Sequence, residues 1–380
     1  MGKGYGADRT PSSRSLLSER SQAHREAADR NLVGFFAIGL VNYGVAPYFL
    51  YHQRTLTGIG ARTAAIQAAA HALLMPMKLG FVSAILHDLS LTDVMSFASH
   101  EGFSTVEICS WPLGKADRKY AGVTHVNVDE LDRAGVLSIV NLCQDTGVEI
   151  SALGYYPNML DPNPAVTAPA IAHFKKVIKA APKLGLKNVN GFVGRDWTKT
   201  VDENWPRFLK VWRPLIKLAE DHGVKIGIEN CPMSFTRDEW PGGKNLFTTP
   251  AIWRRAFNDI DSPNFGLNYD PSHFVLQDMD PLSPLKEFAS KIFHLHAKDV
   301  KIDRAALNEV GRFDFPLRWH QPRLPGYGEI YWPAFMAELM RVGYDGPVCI
   351  EVEDDTFGKT LEGRMSALKV ARNVLSPFFA

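Results

Sequence analysis

From residue 77 onward, short apolar runs rich in Val, Ile, Leu and Phe alternate with longer segments whose apolar residues recur at helical spacing. The short runs fall at 79–84, 105–109, 149–153, 188–192, 225–229, 265–269, 292–296 and 348–352, and each predicts a strand. The longer segments, at 91–100, 128–146, 168–184, 205–222, 250–258, 332–342 and 362–375, predict helices. Gly102, Gly147, Gly185, Gly223 and Gly343 stand just past predicted helices, where a left-handed residue commonly closes the last turn. Strands alternating with helices imply a parallel sheet covered by helices. Eight such units within residues 76–380 favour a closed α/β barrel, the (β/α)8 TIM barrel, over an open doubly wound sheet. No GxGxxG follows the first strand, and GxxxxGK[ST] and GxSxG are absent from the chain.

Residues 1–75 break this rhythm and are expected to form a poorly ordered N-terminal extension outside the barrel, which takes residues 76–380. Residues 1–30 are polar, whereas 32–51 hold no charged residue over 20 positions, long enough to cross a bilayer. Asn42, Pro47 and three glycines inside that run, and the long mixed-charge segment before it, argue against a span or a signal peptide. A cytoplasmic location is expected, with membrane anchoring or export through 32–51 as the alternative. Cys109, Cys143, Cys231 and Cys349 lie far apart without a CxxC, which excludes a disulfide scaffold and fits a reducing compartment. With 46% hydrophobic and 22% charged residues, the composition is that of a globular chain. Lys and Arg total 42 against 41 Asp and Glu, so no basic excess draws in a nucleic acid. The partner expected is a small molecule, with homo-oligomerisation left open.

In a barrel of this kind function sits at the carboxyl ends of the strands. Four predicted strands end in groups that a core does not tolerate. The fifth ends at Glu229, the sixth runs out at Asp270 with His273 three residues on, the seventh ends at His296, and the eighth holds Glu351. Burying a carboxylate at such a place is costly unless it is paired or coordinated. Each alone also reads as a salt-bridged strand end or a cap, and Asp270 before Pro-Ser-His as a turn former. All four in register require a cation. Three carboxylates with one imidazole suit one divalent ion, Mn²⁺ first, with Mg²⁺, Co²⁺ and Zn²⁺ compatible.

The strings GIEN (227–230), NYDPSH (268–273), HLHAKD (294–299), LPGYGEIYW (324–332) and GYDGPVCIEVED (343–354) resemble the xylose isomerase-like TIM-barrel superfamily. That superfamily includes sugar phosphate isomerases and epimerases, ketohexose 3-epimerases, inosose dehydratase and endonuclease IV. The resemblance runs from about residue 77 to the C-terminus. It implies that Glu229, Asp270, His296 and Glu351 hold the metal, that His273 binds substrate beside it, and that Glu229 and Glu351 form the acid/base pair. His294 is expected on the other face of its strand, as a supporting or packing residue. The activity implied is divalent-metal-dependent isomerisation or epimerisation of a sugar or sugar phosphate, by proton abstraction next to a carbonyl through a metal-bound enediolate. The alternative is a lyase that dehydrates a keto-cyclitol, as inosose dehydratase does. An endonuclease-IV-like nuclease would need more histidines than strands two to four supply at their ends, and the neutral charge balance speaks against DNA.

Five further positions complete the expected substrate environment. Glu107, ending strand two, resembles a family position near the substrate and also reads as a structural ion pair. Trp111 and Tyr155, with Tyr156, are expected to form an apolar wall for a sugar ring. Lys298 is expected to meet an anionic substrate group, or else to pair with a neighbouring carboxylate. His87, a lone loop histidine, reads as exposed. The long segments 231–248, with Arg237 and Trp240, and 300–328, with Arg312, Trp319 and His320, are expected to be loops that shape specificity.

Overall fold

In a computed structural model, which describes residues 77–114, 121–234 and 242–379, ten strands are present. They are β1 (Lys78–Val82), β2 (Thr105–Cys109), β3 (Glu149–Gly154), β4 (Asn188–Gly191), β5 (Lys225–Glu229), β6 (Phe265–Tyr269), β7 (Ile292–Ala297), β8 (Asp299–Ile302), β9 (His320–Arg323) and β10 (Pro347–Ile350). Eight close into a barrel in the order β1-β10-β7-β6-β5-β4-β3-β2, every pair parallel. This is the predicted (β/α)8 barrel. Residues 1–75, with the apolar run 32–51, and the loop residues Arg237 and Trp240 lie outside the described residues. Among the described residues no helix is long and apolar enough to cross a membrane.

Seven of the described α-helices follow the predicted pattern: α1 (Leu91–His100), α2 (Arg133–Thr146), α3 (Pro164–Ala180), α4 (Val201–Asp221), α5 (Pro250–Asp259), α9 (Trp332–Arg341) and α10 (Leu361–Leu375). Their starts are set by caps, which apolar periodicity does not reveal. The predicted helix at 128–146 begins only at Arg133, because the Asp132 side chain accepts the Gly135 N–H at 2.7 Å. The one predicted from 205 begins at Val201, where Thr200 and Glu203 form a capping box. Gly147 and Gly185 end their helical segments at φ 68° and 74°, as their positions in the sequence suggested. Between helices and barrel lies an aromatic layer in which Trp212 stacks on Phe265 at 6.0 Å and meets Phe174 edge-on at 5.8 Å.

Three short helices were not foreseen: α6 (Ser272–Leu276), α7 (Ser283–Phe288) and α8 (Arg304–Val310). The expected loop at 300–328 is also more regular than predicted. β8 and β9 pair as an antiparallel hairpin with α8 between them. The Asp299 carboxylate staples this insert. It accepts N–H bonds from Val300 (2.8 Å), Gly326 (3.1 Å) and Ile330 (3.1 Å), and the Trp332 indole at 3.0 Å.

All eight barrel strands lie within 78–350, so removing residues 1–75 is expected to leave a folded, soluble barrel. Circular dichroism and a cooperative melt of the truncated chain check this. Loss of the melt would show that the extension belongs to the fold.

Candidate active site

Strands β5, β6, β7 and β10 converge at one end of the barrel, and their ends carry Glu229, Asp270, His296 and Glu351. Each offers one ligand atom, and the four atoms all lie within 4.8 Å of one another. Asp270 and His296 are fully buried and Glu229 nearly so, while the Glu351 side chain keeps 21% of its surface exposed. The structure thus brings together the four residues expected from the sequence.

The His296 ring shows how this cluster is organised. Nε2 lies 2.8 Å from Glu107 Oε2 inside the barrel. With that nitrogen donating to the carboxylate, Nδ1 is the bare one. It is buried without a hydrogen-bond partner, 3.7 Å from both Glu229 Oε2 and Glu351 Oε2. An imidazole held by a carboxylate on one nitrogen and presenting the other to two carboxylates is the arrangement of a metal-binding histidine. Asp270 Oδ2 is likewise buried without an aligned hydrogen bond, although Lys298 Nζ at 3.1 Å and His273 Nε2 at 3.2 Å supply positive charge.

The local field favours cations. Burial pushes the His296 imidazole down, but Glu107, Glu351 and Glu229 outweigh it and hold the group well above its ordinary range. Lys298 behaves in the same way, burial being overcome by Asp270, Glu351, Glu353 and Glu229. Burial raises Glu351 to about 7, helped by Glu229 and Glu353 and opposed by Lys298 and His296. In Glu229 burial is outweighed by His296, His273 and Lys298, and the carboxyl stays well below its usual range. Three carboxylates and one orphaned imidazole nitrogen in such a field fit a divalent cation.

Glu107 lies deeper. Its carboxylate accepts from Tyr156 Oη, from Asn190 Nδ2 at 3.0 Å and from His296 Nε2. The backbone of Gly154 makes room for it, since a Cβ there would lie 2.4 Å from Glu107 Oε1. Glu107 thus braces the His296 ring from beneath, in a buried pair that Tyr156 and Asn190 also hold. Glu107→Gln is expected to weaken divalent-metal affinity by roughly 10–100-fold. Titration against a chromogenic chelator checks this, and an unchanged affinity would remove Glu107 from that role.

His294 corrects the sequence-based expectation. Residues two apart on a strand share a face, so His294 and His296 both point into the barrel. His294 is fully buried, with Nδ1 3.0 Å from Asn268 Oδ1 and Nε2 3.0 Å from Ser151 Oγ. Both nitrogens are engaged, and burial lowers its pKa to about 4. It is a neutral strut beneath His296.

The apolar wall is only partly as expected. Trp111 lines the pocket over the carboxylates, but Tyr155 does not. The Tyr155 ring packs on Trp111 at 4.9 Å and His173 at 4.8 Å, on the core side. Its neighbour Tyr156 faces the pocket, because consecutive residues at a strand end point to opposite sides. His273, on α6, places Nε2 3.2 Å from Glu229 Oε1. Lys298 lies among carboxylates, 2.6 Å from Glu351 and 3.2 Å from Glu353. Glu353 was not singled out in the sequence, although its place two residues beyond Glu351, on the same face, was a usable signal. His87 is half-exposed and pairs with Asp88 at 2.8 Å.

A family model described as xylose isomerase-like TIM barrel matches residues 95–374. YfiH of Bacillus subtilis is 28% identical over 316 residues, 74% of this chain and 94% of that protein. Inosose dehydratase of Clostridium beijerinckii is 26% identical over 171 residues, 44% of this chain and 54% of the enzyme. Among solved structures, that of the IolI protein with a bound zinc atom superposes with a TM-score of 0.60 at 22% identity, over 80% of this chain and all of that one, which shows a shared fold.

Proposed function

This chain belongs to the xylose isomerase-like TIM-barrel family, and from that premise we propose that it is a divalent-metal-dependent isomerase or epimerase of a sugar or sugar phosphate. The reaction is proton abstraction from the carbon next to a carbonyl. The observation that carries this reading is the placement of Glu229 and Glu351. They come from strands three places apart around the barrel, and each sets a carboxylate oxygen 3.7 Å from His296 Nδ1.

Glu229, Asp270, His296 and Glu351 would hold the cation, which supplies a Lewis acid for the negative charge that develops as the proton leaves. The remaining chemistry belongs to the chain. Glu229, held ionised, is the acid/base group suited to take the proton. Glu351, which comes from a strand three places away around the barrel, is suited to deliver one. Return of the proton to the opposite face of the same carbon gives an epimer, and its return to the neighbouring carbon gives an isomer. His273 Nε2, beside Glu229, is placed to hydrogen-bond a substrate oxygen. Lys298, itself paired with Glu353, holds Glu351 in place.

A second reading is favoured by the similarity to inosose dehydratase: the same first step, followed by loss of a β-hydroxyl. One experiment tests both. Protein loaded with Mn²⁺ is incubated in D2O with ketohexoses, their phosphates and inososes, and followed by NMR and ultraviolet absorbance. Deuterium next to the carbonyl without a new enone band supports the isomerase reading. Enone absorbance replaces it with the dehydratase. No exchange in any of these compounds would overturn the proton-transfer reading.

A further inference from the structure

The space directly over the four ligand atoms is small. A pocket lined by Trp111, Tyr156, Glu229, Lys298 and Glu351 encloses about 60 Å³. Beside it opens a cleft of about 750 Å³, and Cys231 and Glu353 line both. The two adjoin at these residues, and the larger begins at His273, beside Glu229, and extends outward from it. A cleft of this size holds ligands far larger than a reacting carbon and its neighbours.

The walls of the cleft come mainly from segments that follow β5, β6 and β8. The segment after β5 contributes Pro232 and Met233, α6 and its C-cap contribute Leu276 and Gln277, and the β8–β9 insert contributes Leu317 and His320. The polar and apolar groups are interspersed. Leu317 keeps 49% of its surface exposed, while Met233 is buried. His320 Nδ1 donates to the Pro316 carbonyl at 2.6 Å, which leaves Nε2 as an acceptor in the cleft wall. Gln277 donates through Nε2 to Thr248 and His273 carbonyls, which leaves its amide oxygen free of those bonds. Apolar ring-sized surface with scattered donors and acceptors suits a carbohydrate ring, whose faces are apolar and whose rim is hydroxylated.

We infer that the substrate is a ketose or keto-cyclitol that carries a second ring, a ketodisaccharide or glycoside, with the second ring seated in the cleft between Met233, Leu276 and Leu317. This rests on the proton-transfer reading for the first ring, whereas the cleft itself is tested by binding. A free monosaccharide would fill the pocket over the carboxylates and leave the cleft to solvent.

The test uses the full-length, Mn²⁺-loaded chain with D-fructose, isomaltulose and lactulose. The last two are ketoses bearing a second ring on different oxygens. Binding is measured by calorimetry, and saturation-transfer NMR reports which ring touches the protein. At least one disaccharide is expected to bind about tenfold or more tightly than fructose, the scale of a few apolar contacts in a pocket. Saturation should reach the protons of the second ring. Leu276→Trp, which narrows the cleft, and Leu317→Ala, which removes exposed wall, should each bring the ratio of disaccharide to fructose affinity toward one. Leu317→Ala alters a half-exposed side chain and keeps the test open if Leu276→Trp fails to fold. Equal affinities for all three sugars, no binding of either disaccharide, or a ratio unmoved by both variants overturns the inference. Deuterium wash-in is read separately. Preferential disaccharide binding without exchange upholds the cleft and overturns the proton-transfer reading, and exchange with equal affinities does the reverse.

Discussion

Glu229→Gln and Glu351→Gln, each in metal-replete protein, are expected to lose about 10²–10⁴-fold of the solvent-deuterium exchange into a ketose or keto-cyclitol, the usual contribution of a positioned acid/base group. The glutamine keeps the size of the side chain and one carbonyl oxygen that can still serve as a ligand, so it removes the base with less damage to the metal site than alanine would. The two variants should differ in secondary effects. Glu351 is gripped by Lys298 at 2.6 Å, so its neutralisation leaves a buried ammonium with Asp270, Glu353 and Glu229. Glu229 is held by His273 at 3.2 Å and faces His296, so its neutralisation is felt mainly at the two imidazoles. Metal content and sugar binding are measured beside exchange. Wild-type exchange rates in both variants with metal in place would discard the proton-shuttle roles and leave His273 or His320 as the base.

Asp270→Ala and His296→Ala are expected to lose divalent-metal affinity by more than the roughly 10–100-fold that loss of a supporting partner costs. A four-group site spares no ligand cheaply, since the cation's attraction must offset the desolvation of three carboxylates. The readout is thermal. A ligand present at 100 times its Kd stabilises the native state by about 2.7 kcal/mol. Added Mn²⁺ should therefore raise the wild-type melting temperature, and should raise that of either variant little or not at all. Each variant without added metal is the control for its own fold. An undiminished metal-induced shift in both would show that the ion sits elsewhere.

The barrel was legible because it rests on local chemistry. Parallel strands buried on both faces must be apolar runs, and helices that cover them must be amphipathic, so the two periods alternate in plain view. The candidate metal cluster was legible for a related reason. Glu229, Asp270, His296 and Glu351 interrupt apolar strands at their ends, where an unpaired charge is too costly to be accidental. The boundaries of helices were less so, because caps such as Asp132 and Thr200 decide them and periodicity does not. The hairpin of β8 and β9 also escaped notice. Its strands are four residues each and hold Asp299, Lys301, His320 and Arg323, so they carry no apolar run.

The amino-acid sequence by itself determined the eightfold alternation, the four chemistry-bearing strand ends and the two inserts, since each is a property of residues close together in the chain. The tertiary structure alone decided which way each of them points and what it meets. It turned Tyr156 and not Tyr155 toward the carboxylates, and set Glu107 from β2 against a histidine 189 positions away. It also opened the cleft between segments that follow three different strands. These are distances across the barrel, set by strand order, register and close packing, and no pattern along a single strand encodes them.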